Sequence, residues 1–337
     1  MKAIQMHQPG GIEVLRYEDA EMPQPGVGEV RIRIRAAGVN HRDIWFRQGL
    51  FGGWTRPMIP GSDGAGEIDA IGPGVTRWSV GQKVVINPGL SCGHCIACLS
   101  GNQPACPDFR IFDGTYAEYA VVPSENVVAM PSGITYAEAA SIGVPYVTAE
   151  DFLERAQARP GQSLLLWGAT GGLGLATLQL AKLRGLRVLA VTRSPARAEK
   201  LRQYHADDVI VTTGADDITD QVLGLTNGRG VDLVVDSLGQ LTFLQSLAAV
   251  ARGGVVVTVG STTGGRVNFE LGQLFRRRLT VLGAYLGGSD VLPRLLPLFA
   301  RGVLIPVIDS SYPLEQADQA HDQMEHHGVF GKIILTP

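Results

Sequence analysis

The residues best suited to chemistry are Cys92, Cys95, Cys98 and Cys106, the only cysteines of the chain, spaced C-x2-C-x2-C-x7-C in one loop. Four thiolates this close in sequence complete a tetrahedral shell around a zinc ion and leave no open position, which predicts one structural zinc per chain. An iron–sulfur cluster is the rival, since Pro107 follows the last cysteine. The seven-residue spacer does not fit the three-residue spacer of ferredoxin runs. His94 offers a substitute ligand, although a histidine in a polar loop is ordinarily solvated. A disulfide framework would spread its cysteines along the chain, whereas these are clustered.

A second chemical stretch spans residues 163–193, SLLLWGATGGLGLATLQLAKLRGLRVLAVTR. It predicts a buried strand over 163–167, a glycine turn, a helix ending at Gly185 and a second strand over 187–191. The turn Ala169-Thr170-Gly171-Gly172-Leu173-Gly174 carries the dinucleotide-binding spacing with alanine in the first glycine position. Gly171 admits the backbone to a pyrophosphate, Gly174 allows close helix–strand packing, and the helix N-terminus attracts the anion. An NAD site would place an acid at the end of the second strand; Thr192-Arg193-Ser194 stands there instead. Arg193, with Arg197 and Lys200 one and two helical turns on, suits a 2′-phosphate, so NADPH is the expected cofactor. A solvated basic helix start is the bland alternative.

The remaining elements must position these two stretches. A chain of 337 residues, 45% hydrophobic and 18% charged, is long enough for two domains. Its net charge of −3 argues against non-specific binding to nucleic acid or anionic membranes. No apolar run approaches the ~18 residues of a membrane span, and the start, MKAIQMHQPG, lacks signal-peptide features, so a cytoplasmic protein is expected. Residues 1–125 read as mostly β. Residues 30–35 alternate Val/Ile with Arg, one buried face and one basic face. Asn40 reads as the N-cap of a short helix ending at Gly49. From Tyr146 the pattern becomes α/β, with strands at 209–211, 231–236, 255–259 and 279–284 of one parallel sheet. After Leu286 a helix with Pro293 and Pro297 leads to short strands at 307–308 and 332–335. These are too few for a domain and so return to the first.

The four-cysteine lobe, GVNHRD, PGSDGAGEI, GATGGLG and the terminal GKIIL, in that order, resemble the medium-chain dehydrogenases/reductases, the zinc-containing alcohol dehydrogenase superfamily. The resemblance covers essentially the whole chain. It implies an α/β protein: a GroES-like β domain (residues 1–145 and 287–337) split by a doubly wound Rossmann domain (146–286), with a nicotinamide between them. It further places Thr148, Val259, Gly260, Ser261, Tyr285 and Leu286 along the nicotinamide and Lys332 in the segment returning to the cleft.

The departures from the family are chemical. Where the zinc alcohol dehydrogenases carry catalytic-metal ligands, this chain has Asn40, Ser62 and Val144, which cannot supply a three-ligand zinc site. The position of the proton-relay hydroxyl holds Arg42. Asp63 replaces the family's glutamate behind the zinc and, without metal, would simply cap a turn. This pattern resembles the zinc-independent quinone oxidoreductases and enone reductases, with N-x-x-D here (Asn40, Asp43) as the expected catalytic pair. Asp43 would equally serve the helix dipole. Trp45, Phe51 and Trp54 are expected to line a flat apolar substrate pocket, though aromatics of a small β domain also serve as core.

Hydride transfer by positioning then needs an electron-poor acceptor, so a quinone or activated enone is favoured over a simple alcohol. The alternatives are a zinc alcohol dehydrogenase with atypical ligands and an idle NADPH-binding sensor or structural protein. A small-molecule substrate is expected as partner, with a homodimer or homotetramer formed through the edge of the nucleotide sheet.

Overall fold

The structure, a computed structural model, describes residues 1–50, 57–213 and 216–337. Two compact units divide the chain: Thr148–Leu286 is one, and Met1–Val147 with Gly287–Pro337 is the other.

The Thr148–Leu286 unit is built on β1 (Ser163–Leu166), β2 (Arg187–Thr192), β3 (Asp208–Val211), β4 (Val231–Asp236), β5 (Val250–Thr258) and β6 (Thr280–Gly283). They form a parallel sheet in the order β3-β2-β1-β4-β5-β6. This is the Rossmann order, and its strand sequence reverses between β1 and β4, where dinucleotides bind. Every residue of β1 is buried, as an apolar run covered on both faces requires. Leu165, Val191, Val234 and Val256 from four strands meet Leu247 of the Phe243–Ala249 helix in one core. The sequence placed the start of β5 at residue 255, but the strand begins at Val250 and crosses Gly253 and Gly254, with its register to β4 shifted between Val231 and Leu233. A bulge absorbs the extra residues around the two glycines.

The other unit is GroES-like. Among the described residues its main sheet joins Ile308–Pro313, Lys332–Thr336, Glu29–Gly38, Asp63–Ile71, Lys83–Ile86 and Val127–Ala129 in that order, with Tyr119–Pro123 also on Glu29–Gly38. Val30, Ile32 and Ile34 face the core, while Arg31 and Arg35 pair with Asp69 and Glu67 on the opposite face. Two registers place the chemistry: Gly38 opposes Asp63 on one side and Ile334 on the other. Asn40, Asp63 and Lys332 are thereby drawn together from residues far apart in sequence. Gly38 is required there, because a Cβ would lie 2.3 Å from Ala140 O. No helix among the described residues is long and apolar enough to cross a membrane.

Candidate functional site

The cysteine loop forms a compact sulfur cluster. The Sγ atoms of Cys92, Cys95, Cys98 and Cys106 all lie within 4.8 Å of one another, with Cys92–Cys98 at 3.9 Å and Cys95–Cys98 at 3.6 Å. Tetrahedral thiolates at Zn–S ~2.3 Å stand about 3.8 Å apart, close to the two shorter separations here, so the donor set fits zinc. The Ser91 hydroxyl, hydrogen-bonded to the Cys98 thiol, helps lower that thiol to about 7. His94 stays exposed, its Nδ1 2.8 Å from Cys92 O, and takes no place in the cluster.

In the Thr148–Leu286 unit, the glycine turn joins β1 to the Gly172–Leu183 helix. Gly168 takes φ 65°, and Gly171 is the N-cap residue. A Cβ on Gly174 would fall 2.3 Å from Gly168 O and 2.7 Å from Ala169 Cα, so only glycine lets the helix approach the strand. Gly171 is different. Among the described residues, a Cβ there would meet only Gly168 O at 3.8 Å, which leaves its outer side open, and no side chain caps the helix N-terminus. Ala169 is buried beneath the turn, while Thr170, Gly172 and Leu173 are half-buried. An open, uncapped helix start beside a backbone without Cβ is the cradle a pyrophosphate requires.

The end of β2 carries the basic residues. Thr192 Oγ1 accepts from Ser194 N at 3.2 Å, and Ser194 Oγ accepts from Arg197 N at 3.3 Å, capping the Pro195–Gln203 helix. Arg193 stands exposed in this turn, with no carboxylate paired to it among the described residues. Thr148 is buried at the start of this unit. Tyr285 is exposed and Leu286 is buried in a left-handed conformation at its end. Val259 N donates to Asp236 O at the end of β4, placing Val259, Gly260 and Ser261 beside the switch point.

The GroES-like unit holds a buried polar network at the His41–Arg47 helix. Asn40 occupies the N-cap, but its amide is engaged elsewhere: Oδ1 accepts from Lys332 Nζ at 2.7 Å and Nδ2 donates to Asp63 Oδ2 at 2.9 Å. Asp43 closes the cap from the other side, its Oδ2 accepting from Asn40 N at 2.8 Å. Asp63 is not a turn cap. It lies at the start of a strand, fully buried, and accepts from Asn40, from Val144 N at 2.6 Å and from Lys332 Nζ at 3.0 Å. Lys332, expected beside the cofactor, gives its third proton to Val39 O at 2.7 Å, so all three ammonium donors are engaged inside this unit. Ser62 receives Arg42 Nη1, and Arg42 is held by both carboxylate oxygens of Asp113. Positions 40, 62 and 144 thus form a charge-balanced hydrogen-bonded cluster.

Behind it runs a chain that the sequence did not announce. Arg47 Nη1 faces His321 Nδ1 at 3.3 Å, and His321 Nε2 lies 3.3 Å from the Tyr116 hydroxyl, which donates to Asp43 Oδ2 at 3.1 Å. A guanidinium can only donate, which assigns the acceptor role to Nδ1 and the proton to Nε2. Burial, reinforced by the Arg47 charge, lowers His321 to about 3 and keeps it neutral. Burial is also the main cause that raises Asp43 to about 7 and pushes Tyr116 well above its ordinary value. Trp45 is half-buried and packs edge-on against His41. Phe51 and Trp54, the other expected pocket residues, lie outside the described residues.

A Rossmann unit with an open glycine turn and a GroES-like unit with a four-thiolate lobe define a nicotinamide-dependent oxidoreductase. Residues 26–132 match the alcohol dehydrogenase GroES-like domain and residues 172–301 the zinc-binding dehydrogenase domain. The chain is 32% identical to a quinone oxidoreductase of Pseudomonas aeruginosa, covering 100% of this chain and 99% of that one. Its fold superposes on an NAD-dependent alcohol dehydrogenase crystal structure with TM-score 0.95 and 38% identity, each chain covered in full. The Escherichia coli quinone oxidoreductase complexed with NADPH gives TM-score 0.88 at 25% identity, again covering both chains fully. The chain belongs to the medium-chain dehydrogenase/reductase family.

Proposed function

We propose that the protein is an NADPH-dependent reductase of quinones or activated enones that works without a catalytic metal and carries one structural zinc. The observation that carries this reading is the commitment of Asn40, Ser62 and Val144 to the Asp63–Lys332–Arg42 network. Their side chains are an amide, a hydroxyl and an isopropyl group, and the cluster is already balanced by an ammonium. It offers no set of three anionic or imidazole ligands.

A bound nicotinamide supplies the hydride. This chain's own residues hold and orient it: the glycine turn and helix N-terminus take the pyrophosphate, and Arg193 takes the 2′-phosphate. A quinone accepts hydride without a Lewis acid and takes its proton from solvent, so the polar cluster acts by shaping and fixing the His41–Arg47 helix, not by donating protons. Asn40 and Asp43, the expected catalytic pair, both belong to this cluster. The zinc is bound by Cys92, Cys95, Cys98 and Cys106 and rigidifies the lobe. In this reading the edge strand β6, where Val281 is 40% exposed, pairs with a second copy to form a homodimer.

Alcohol oxidation is the second reading, favoured by the 38% identity to an NAD-dependent alcohol dehydrogenase. One experiment separates the two. Zinc-replete protein is assayed with NADPH against simple quinones and enones, and with NADP+ and NAD+ against short alcohols. A chelator that leaves the lobe loaded is then added. Reduction of quinones unaffected by chelation is expected. Alcohol oxidation abolished by it would overturn the proposal.

A further inference from the structure

We infer that Asp236 is a positioning residue for the nicotinamide half of the cofactor, acting through two loops it holds together. This rests on the dinucleotide reading of the glycine turn and goes beyond it by assigning a role to a residue that neither spacing nor resemblance marked.

Asp236 ends β4 and is fully buried. Its carboxylate accepts from four neutral donors. Leu238 N at 2.9 Å and Gly239 N at 3.0 Å reach Oδ1, Ser246 Oγ at 2.7 Å reaches Oδ2, and Thr242 Oγ1 bridges both oxygens at 2.8 and 2.9 Å. A carboxylate has about four good acceptor directions, so all are filled. No lysine or arginine pairs with it among the described residues. A buried anion held only by dipoles is costly, and stability alone is served as well by an apolar side chain of similar volume. What the carboxylate provides is geometry: it curls residues 237–242 back over the end of the strand.

That curl seats a second loop. Thr262 Oγ1 donates to Ser237 O at 2.9 Å, and Thr263 donates to Leu238 O through both N and Oγ1, at 2.8 and 2.7 Å. Gln240 N in turn donates to Gly264 O at 3.0 Å. Contact is close enough that a Cβ on Gly239 would lie 2.7 Å from Gly264 O. The same curl touches the glycine turn, since a Cβ on Gly168 would lie 2.7 Å from Ser237 Oγ. Val259, Gly260 and Ser261 enter the second loop from β5. Asp236 therefore ties the pyrophosphate turn to the segment that lies beyond it at the switch point, whereas Arg193 stands just past the end of β2 at the far side of the turn.

The two halves of the cofactor are separable in a binding experiment. Calorimetry on the full chain compares NADPH with adenosine 2′,5′-bisphosphate, which carries the adenosine and 2′-phosphate but no nicotinamide. Asp236→Ala is expected to weaken NADPH roughly tenfold, by loss of pre-organisation, and to leave the bisphosphate within about twofold. Asp236→Asn is expected to recover most of the loss: its oxygen keeps the two backbone donors, and its amide meets hydroxyls that turn to accept. Amide exchange at Leu238 and Gly239 should quicken in the alanine variant. If that variant does not fold, Thr242→Val, which removes the bridging donor while keeping side-chain shape, carries the same test with about a threefold effect. Equal weakening of both ligands, or no change in either, overturns the inference. Wild-type protein that binds neither ligand overturns the dinucleotide reading and this role with it. Tight wild-type binding with an indifferent alanine variant overturns the positioning role alone.

Discussion

Lys332 Nζ lies 3.0 Å from Asp63 Oδ2, the two side chains 5% and 0% exposed, and the pair bridges residues 269 apart in sequence. Each charge is out of water and depends on the other. Removing one partner of such a pair leaves the other uncompensated, which costs roughly 3–5 kcal/mol. Lys332→Met is therefore expected to lower the stability of the GroES-like unit by about that amount in urea titrations. The double variant with Asp63→Asn should recover part of the loss. NADPH affinity of the folded single variant should stay within about twofold, because no ammonium proton is left for a cofactor. A tenfold loss of NADPH affinity with stability intact would return Lys332 to the cofactor site.

Asp43 makes stability depend on pH in an unusual direction. Burial raises its carboxyl from 3.8 to about 7, with the Arg42 charge opposing the shift and Oδ1 lacking a hydrogen bond. Because the folded value lies above the unfolded one, the folded protein keeps this proton where the unfolded chain has released it. The contribution is fully present below about pH 4 and is lost as pH rises through 7, with a slope of up to ~1.4 kcal/mol per pH unit. Wild-type stability, measured relative to the uncharged isostere Asp43→Asn, should fall from pH 5 to 7 and level off above it. Denaturation midpoints of the two proteins that run parallel across this range would reject the assignment.

How much of this was legible beforehand follows from sequence distance. The glycine turn, the cysteine lobe and the Asn40–Asp43 cap each lie within a few residues, so spacing alone reports the geometry. The Asp63–Lys332 pair and the Arg47–His321–Tyr116–Asp43 chain are closed by strand register and helix packing between the two ends of the chain. Local patterning carries no information about which buried polar groups will meet. Asp63 read as a turn cap because no catalytic metal was expected before it, yet it opens a strand whose first residue faces inward. Asp236 is nearer to view: a strand-ending Asp followed by Gly239, Thr242 and Ser246 is a local acceptor–donor pattern, masked by the apolar run that it ends.

The sulfur cluster predicts a specific metal count. Cys98→Ser breaks the tetrahedral thiolate set, and elemental analysis should fall from one zinc per chain to near zero. Resistance of the lobe to proteolysis should fall with it. Adenosine 2′,5′-bisphosphate binding should persist, since its proposed contacts lie in the other unit. Two zinc ions per wild-type chain, or the visible absorbance of an iron–sulfur centre, would contradict the structural-zinc assignment.

We propose that cofactor choice turns on Arg193. It follows β2 in a turn fixed by the Thr192–Ser194 and Ser194–Arg197 hydrogen bonds, exposed and without a carboxylate partner among the described residues. A 2′-phosphate meeting that guanidinium gains a charge-assisted interaction of about 1.5–3 kcal/mol, or roughly ten- to a hundredfold in affinity. NADH lacks that phosphate and gains nothing from it. Arg193→Ala should therefore weaken NADPH by about that factor and leave NADH nearly unchanged, narrowing the preference without touching the glycine turn. Salt should matter in the same sense, since an exposed ion pair is screened: raising ionic strength should weaken NADPH more than NADH in wild type and alike in the variant. Fluorescence titrations in which both cofactors weaken equally on substitution would place the 2′-phosphate elsewhere.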